Sequence, residues 1–231
     1  MKMAVMADIH GNLEACDAVL RDAKDCGCTR HVFAGDFVGY CADLKECLDI
    51  VRLMNAPCVK CNHDEYCSHD VALDSFNAKA ARAVEWVRNQ LTADDRKWLQ
   101  NLPYVLTVDD FTIVHATLDA PERWGYVFDK LAATASLAQQ NTQICFYGHT
   151  HVPVAFIRDD KAVRGGTYSR FLIETGKRYF INVGSVGHPR DNNPKAAYVI
   201  YDPDQRSIEL RRVAYDIATA QRKIREAGLD K

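Results

Sequence analysis

The sequence lacks a dominant charge, a long apolar run and any linker. Its 29 lysines and arginines stand against 31 aspartates and glutamates, a formal charge of -2. No whole-protein field therefore draws it to nucleic acid or to an anionic membrane, and any anion has to be held locally. No stretch approaches the roughly 18 uninterrupted apolar residues needed to span a bilayer. There is no internal repeat, low-complexity tract or segment rich in proline and glycine, which excludes solenoids and argues for one domain over residues 1–231. An apolar fraction of 48% over 231 residues is enough for a substantial core.

A disulfide framework is missing too. Nine cysteines is an odd count, and beside so large a core it suits reduced thiols. Cys58-x-x-Cys61 could open a structural zinc site, but its partner pair would be Cys26-x-Cys28, whose spacing is too short for the usual pattern. The opening MKMAVMADIHGNLEA has too short an apolar stretch for a secretory signal. The expected location is cytoplasmic.

Periodicity gives a strand over residues 3–7, a helix over 13–25 ended by Gly27, a strand over 30–34, a helix over 42–53 and a strand over 56–60. This βαβαβ order predicts a parallel sheet. Residues 70–102 read as helical, with Thr92 as an N-cap and Asp95 at the positive helix end, stopped by Pro103. Strands are expected over 105–108, 111–115, 144–147, 154–157, 178–183, 196–201 and 207–213, with helices near 129–139 and 216–226. The fold class is α/β, with two packed β-sheets flanked by helices.

Ligands in α/β sheets collect beyond the carboxyl ends of strands. Five strand ends here carry polar groups: Asp8-Ile9-His10, Gly35-Asp36, Asn62-His63-Asp64, His115 and Gly148-His149-Thr150-His151. If the chain stays extended past the strand, Asp8 and His10 face one side, as do His149 and His151. Imidazole with carboxylate suits manganese, iron or zinc, and an aspartate can bridge two ions roughly 3.5–4 Å apart. Asp36 is the candidate bridge. Trp86 and Trp98 lie on helical patterns and read as core, whereas Trp124 falls in a loop where it could line a pocket.

The ordered motifs D-x-H, G-D, N-H-D, H and G-H-x-H resemble the calcineurin-like metallophosphoesterases, especially their small bacterial phosphodiesterase branch, over residues 3 to about 201. Gly35-Asp36-Phe37-Val38-Gly39-Tyr40 and Asn182-Val183-Gly184-Ser185-Val186-Gly187-His188-Pro189-Arg190 are similar to loops of that branch. The resemblance implies a four-layer α/β/β/α sandwich holding two divalent transition-metal ions, manganese first, with iron or zinc as alternatives. It places Asp8, His10 and His151 on one ion, Asn62, His115 and His149 on the other, and Asp36 between them, with His63 as general acid. The implied reaction is hydrolysis of a small phosphomonoester or phosphodiester, nucleotides included, by a metal-activated water. Tyr40 and Arg190 sit in loops that could reach the phosphate or leaving group, the alternative being a packed tyrosine and a solvated arginine.

The sequence departs from the family pattern at Cys61, where a glycine precedes the Asn-His-Asp motif, and at Gly39, where many members carry an aspartate that orients the acid. Cys41 and Ala116 are milder departures. Cys61 reads either as a core-facing thiol or as a soft extra ligand. It motivates an alternative function, a metal-binding interaction or scaffold protein with weakened catalysis on the same fold.

Overall fold

A computed structural model describes residues 1–74 and 78–229. The first strand, β1 (Lys2–Met6), pairs in parallel with β2 (Cys28–Phe33) and antiparallel with β10 (Ala196–Asp202). Beyond β10 lie β11 (Ser207–Val213) and β8 (Arg170–Leu172), giving a five-stranded sheet ordered β2-β1-β10-β11-β8. The second sheet is β3 (Val105–Val108), β4 (Phe111–Val114), β5 (Ile144–Tyr147), β9 (Arg178–Asn182), β6 (Ala155–Arg158) and β7 (Val163–Gly166), in that spatial order.

Alternation along the strands sends residues to opposite faces. Met3, Val5, Val32, Val199 and Tyr201 of the first sheet pack against Phe111, Ile144, Phe146, Tyr179 and Ile181 of the second, forming the core between the sheets. The intervening Ala4, Met6, Phe33, Tyr198 and Ile200 face outward onto α1 (Leu13–Asp25) and α2 (Leu44–Met54). On the far side Cys145, Tyr147 and Phe180 meet Ala133 and Leu137 of α6 (Lys130–Gln139). The layers are therefore helices, sheet, sheet, helix, as the sequence led us to expect. Trp86 and Trp98 pack against the outer core. No helix among the described residues is long and apolar enough to cross a membrane.

Several local expectations are corrected. Residues 56–60 form no full strand: contact with β2 is reduced to a bridge between Phe33 and Cys58, because Pro57 has no N–H for the ladder. In the first sheet parallel pairing is confined to β1 with β2, and β4, β5 and β9 pair in parallel in the second, so both sheets are mixed. Asn62-His63-Asp64 do not trail a strand but open a short helix, α3 (Asn62–Ser68). The stretch 70–102 is not continuously helical, and its residues 75–77 lie outside those described. It contains α4 (Ala78–Gln90) and α5 (Ala93–Gln100), followed much later by the closing helix α7 (Ile217–Glu226). The short strands β7 and β8 escape sequence reading because glycine and exposed residues dominate them.

Thr92 caps α5 as expected, through a reciprocal pair in which its hydroxyl oxygen accepts from the Asp95 N–H (3.1 Å) and its own N–H donates to Asp95 Oδ2 (3.1 Å). Arg52 donates to the other Asp95 oxygen at 2.7 Å, tying α5 to α2. Thr92→Ala should cost about 1 kcal/mol of stability. Urea denaturation of the two proteins measures this, and phosphoester turnover should not change.

Candidate metal centre

The site begins where β1 and β2 end. Their loops stay zipped in parallel past the strands: Asp8 N–H donates to Gly35 O (3.0 Å), His10 N–H to Asp36 O (2.9 Å) and Gly11 N–H to Phe37 O (3.0 Å). Asp8, His10 and Asp36 are left-handed, with φ of 56°, 52° and 58°, as are Tyr40, His149 and His151 at 57°, 66° and 59°. The chain is thus not extended through Asp-x-His or His-x-His. Paired side chains converge because alternate residues turn left-handed, a conformation costing roughly 1–2 kcal/mol for each non-glycine residue. Such strain gathers at functional sites.

A second loop clasps this backbone. Gly187 N–H and the Ser185 hydroxyl both donate to Asp8 O, at 2.8 and 2.9 Å, and the Asn12 amide donates to Gly187 O at 2.9 Å. A Cβ on Gly187 would fall 1.8 Å from Ile9 O, so only glycine fits. The Asn182 amide donates to Gly148 O and to Thr150 Oγ1, fixing the His-x-His turn.

Six of the seven expected ligands meet in one buried cluster. Asp36 Oδ2 lies 3.2 Å from His10 Nε2 and 3.3 Å from His115 Nε2. His151 Nε2 is 3.6 Å from Asp8 Oδ1 and 3.1 Å from His10 Nε2, while His149 Nδ1 is 3.2 Å from His115 Nε2. Every one of these imidazoles donates its other ring nitrogen to a backbone carbonyl: His10 Nδ1 to Val38 O (3.0 Å), His115 Nδ1 to Ala34 O (2.7 Å), His149 Nε2 to Trp124 O (2.9 Å) and His151 Nδ1 to His188 O (2.6 Å). Because a carbonyl only accepts, each inward nitrogen carries the lone pair in the neutral ring. The inward nitrogens therefore face one another in two pairs, with Asp36 between the pairs.

The electrostatics favour positive charge within the cluster. Burial, reinforced by the charge of Asp36, pushes Asp8 up to about 7 against the pull of His115 and His10. Burial would raise Asp36 as well, but His115, His10 and His63 hold it well below its ordinary value. His115 is raised to about 9, the carboxylates of Asp36 and Asp8 overcoming the effect of burial. Its inward nitrogen lies between Asp36 Oδ2 (3.3 Å) and His149 Nδ1 (3.2 Å). Burial, with His115 adding repulsion, lowers His149 to about 3, and burial with His10 lowers His151. Asp8 Oδ2, Asp36 Oδ1 and Asn62 Oδ1 are enclosed without hydrogen-bond partners. Unsatisfied buried groups of this kind cost roughly 1–3 kcal/mol each, and a cation would satisfy them. Oxygen and imidazole donors with facing lone pairs fit divalent transition metals.

Asn62 is the first residue of α3. Cys61 before it does not simply face the core. Its sulfur caps α3 by accepting from Asp64 N–H (3.1 Å) and lies within 4.8 Å of the ligand atoms of Asp36 and His115. Among the described residues, the two groups of side chains placed to hold an ion are Asp8 with His10, Asp36 and His151, and Asp36 with Cys61 and His115. Neither contains Cys26, Cys28 or Cys58. Sequence reading named Asp64 within its motif but missed its role: it is fully buried and accepts from Phe37 N–H at 3.2 Å, joining α3 to the Asp36 loop. It also missed the roles of Asn12, Asn182 and Ser185, although the last two stand in a motif it singled out.

His63 packs edge-on against His10 and Tyr40, with ring centroids 5.0 and 4.7 Å away. Tyr40 stacks on His188 (4.9 Å) and receives a hydrogen bond from exposed Arg190 (3.3 Å). Trp124 stands 6.1 Å from His115, ring to ring, and supplies the carbonyl for His149. Burial lowers His63 to about 4 although Asp36 pulls it upward, and its Nδ1 has no hydrogen-bond partner. That nitrogen would lie 2.6 Å from a Cβ on Gly39, a residue with φ of +101°. Missing an orienting carboxylate, the ring is placed by packing and by the space glycine leaves. Gly39→Ala should displace His63 and lower phosphoester turnover by roughly tenfold or more while leaving bound metal per chain unchanged, as measured by steady-state kinetics and elemental analysis.

Comparison with known proteins agrees with this geometry. The family model for the calcineurin-like phosphoesterase superfamily domain matches residues 1–206. An uncharacterized protein of Methanocaldococcus jannaschii is 35% identical over 226 residues, covering 96% of this chain and 91% of that protein. The crystal structure of a metallophosphoesterase from Sphaerobacter thermophilus is 35% identical, covers 100% of this chain and 95% of that one, and superposes with a TM-score of 0.87. A hypothetical protein of Pyrococcus horikoshii shares the fold at 16% identity and a TM-score of 0.81, with 100% and 94% coverage. With the family model spanning most of its length and a buried cluster fit for divalent metal, the chain belongs to the calcineurin-like phosphoesterase superfamily and is a hydrolase acting on phosphoesters.

Proposed function

We propose that the chain hydrolyses a phosphomonoester or phosphodiester at a dinuclear centre, with manganese as the preferred ion and iron or zinc as alternatives. Asp8, His10 and His151 would hold one ion and Asn62, His115 and His149 the other, with Asp36 shared. The position of Asp36 Oδ2, 3.2 Å from His10 Nε2 and 3.3 Å from His115 Nε2, carries this reading, since one oxygen reaches both imidazole pairs. Bound ions of this kind lower the pKa of water and neutralise phosphoryl oxygens.

The protein's own groups account for the remaining work. In this reading His63 would protonate or stabilise the departing oxygen. Its lowered pKa reflects burial, so an anionic phosphate arriving beside it shifts the ring toward its protonated form. Arg190, exposed and hydrogen-bonded to Tyr40, would take a phosphate oxygen. Residues 1–231 are read as one catalytic domain, and nine unpaired thiols favour a reducing compartment such as the cytoplasm.

Purified protein supplied with manganese should hydrolyse nitrophenyl phosphate mono- or diesters, and Asp36→Ala should reduce the rate by roughly a hundredfold or more. Absence of turnover with any ester under manganese, iron or zinc would instead favour the scaffold reading. Metal affinity should rise with pH. His115 keeps its proton up to about 9 and Asp8 up to about 7, and both protons must leave before the groups can bind an ion. His149 is already neutral above about 3 and adds no slope. Equilibrium dialysis at pH 6 and pH 9 should show roughly tenfold or greater tightening at the higher pH. Equal affinity would contradict the assigned proton positions.

A further inference from the structure

Cys61 is fully buried and directly precedes Asn62. Its sulfur, a carboxylate oxygen of Asp36 and a ring nitrogen of His115 all lie within 4.8 Å of one another. Donor atoms bonded to one ion at about 2.0–2.3 Å are separated by up to about 4.5 Å, so small side-chain rotations bring the three onto one centre. The backbone makes room for this approach. A Cβ on Gly35 would fall 2.9 Å from Cys61 Cβ and 3.0 Å from His115 Nδ1, so any side chain there would force the two apart. Asp36 is 1% exposed, and its Oδ1 has no hydrogen-bond partner. Asn62 Oδ1, on the next residue, is enclosed and unpartnered as well.

The hydrogen bond from Asp64 N–H (3.1 Å) occupies one side of the sulfur and fixes its direction, as outer hydrogen bonds do for metal ligands. Burial, then the charges of Asp36 and Asp64, push the thiol pKa well above its ordinary value in the metal-free chain. A coordinated cation reverses that balance. We propose that Cys61 Sγ is a ligand of the ion assigned to Asn62, His115 and His149, alongside the shared Asp36. The S–H bond breaks as the sulfur–metal bond forms, and the proton leaves to solvent. This inference rests on the proposed dinuclear centre for the presence of the ion. It makes the two halves of that centre unlike: Asp8, His10 and His151 offer oxygen and nitrogen, whereas the other half adds sulfur. Softer divalent ions such as zinc, cobalt and cadmium gain most from the thiolate, and manganese gains little.

The test is the absorption spectrum of the purified protein loaded with cobalt(II), with bound cobalt counted by elemental analysis. The wild type should show a sulfur-to-cobalt charge-transfer band in the near ultraviolet. Cys61→Ser should lose the band and still bind cobalt. Cys26→Ser, which alters a partly exposed thiol outside the cluster, should keep it. Serine is a favoured N-cap, so the start of α3 is retained, as far-ultraviolet circular dichroism will show. Cys61→Gly provides a second variant without the sulfur and should lose the band equally. By equilibrium dialysis, Cys61→Ser should bind cadmium about tenfold or more weakly, with manganese affinity nearly unchanged. Bound cobalt without the band in the wild type, a band that survives Cys61→Ser or follows Cys26, or equal losses for cadmium and manganese overturns the sulfur ligand and leaves the histidine–carboxylate centre standing. No bound cobalt overturns both.

Discussion

Two carboxylates, Asp8 and Asp36, are sealed from solvent among inward-facing imidazoles, and their repulsion within a desolvated pocket is the constraint that the surrounding structure serves. The carboxylates of Asp36 and Asp8 raise the proton affinity of His115 against the effect of burial, and burial raises that of Asp8. Ring nitrogens aimed at each other at 3.1 and 3.2 Å add lone-pair repulsion that a proton or cation between them removes. Buried charge is tolerated only when paired and hydrogen-bonded. The carbonyls of Val38, Ala34, Trp124 and His188 supply the outer hydrogen bonds, so each ring has one orientation available to it.

The fold holds this arrangement by joining its two sheets at the site. Asp8, His10 and Asp36 leave the first sheet, while His115, His149 and His151 leave the second. Neither sheet alone assembles the cluster, so the core between them sets the distances on which the chemistry depends. Left-handed backbone at six polar residues is the local cost. The clasp of Ser185, Gly187 and Asn12 on the Asp8 loop, and of Asn182 on the His149 turn, holds that strained backbone in place.

Much of this was legible in the sequence because buried strands and strand-end polar groups leave local signatures. The apolar runs of β1 and β5, the helix over residues 13–25 and the Thr92 cap all follow from neighbouring residues. The convergence of Asp8 with His10 was anticipated through an extended backbone, whereas left-handed turns produce it. Backbone sign at an aspartate or histidine has no local marker. The start of α3 was hidden because Cys61, an uncommon cap, does the work of a serine or aspartate. The roles of Asp64 and Asn182 depend on contacts with loops 27 and 32 residues or more away, which no window of sequence contains.

A shared aspartate flanked by two imidazole pairs explains at once the orphaned carboxylate oxygens, the fixed ring orientations and the raised proton affinity of His115. Its most direct test is the number and coupling of manganese ions in the purified wild-type protein, by elemental analysis and electron paramagnetic resonance after exhaustive dialysis. The account predicts two ions per chain with the spectrum of an exchange-coupled pair. One ion per chain, or two ions with magnetically isolated spectra, would contradict it.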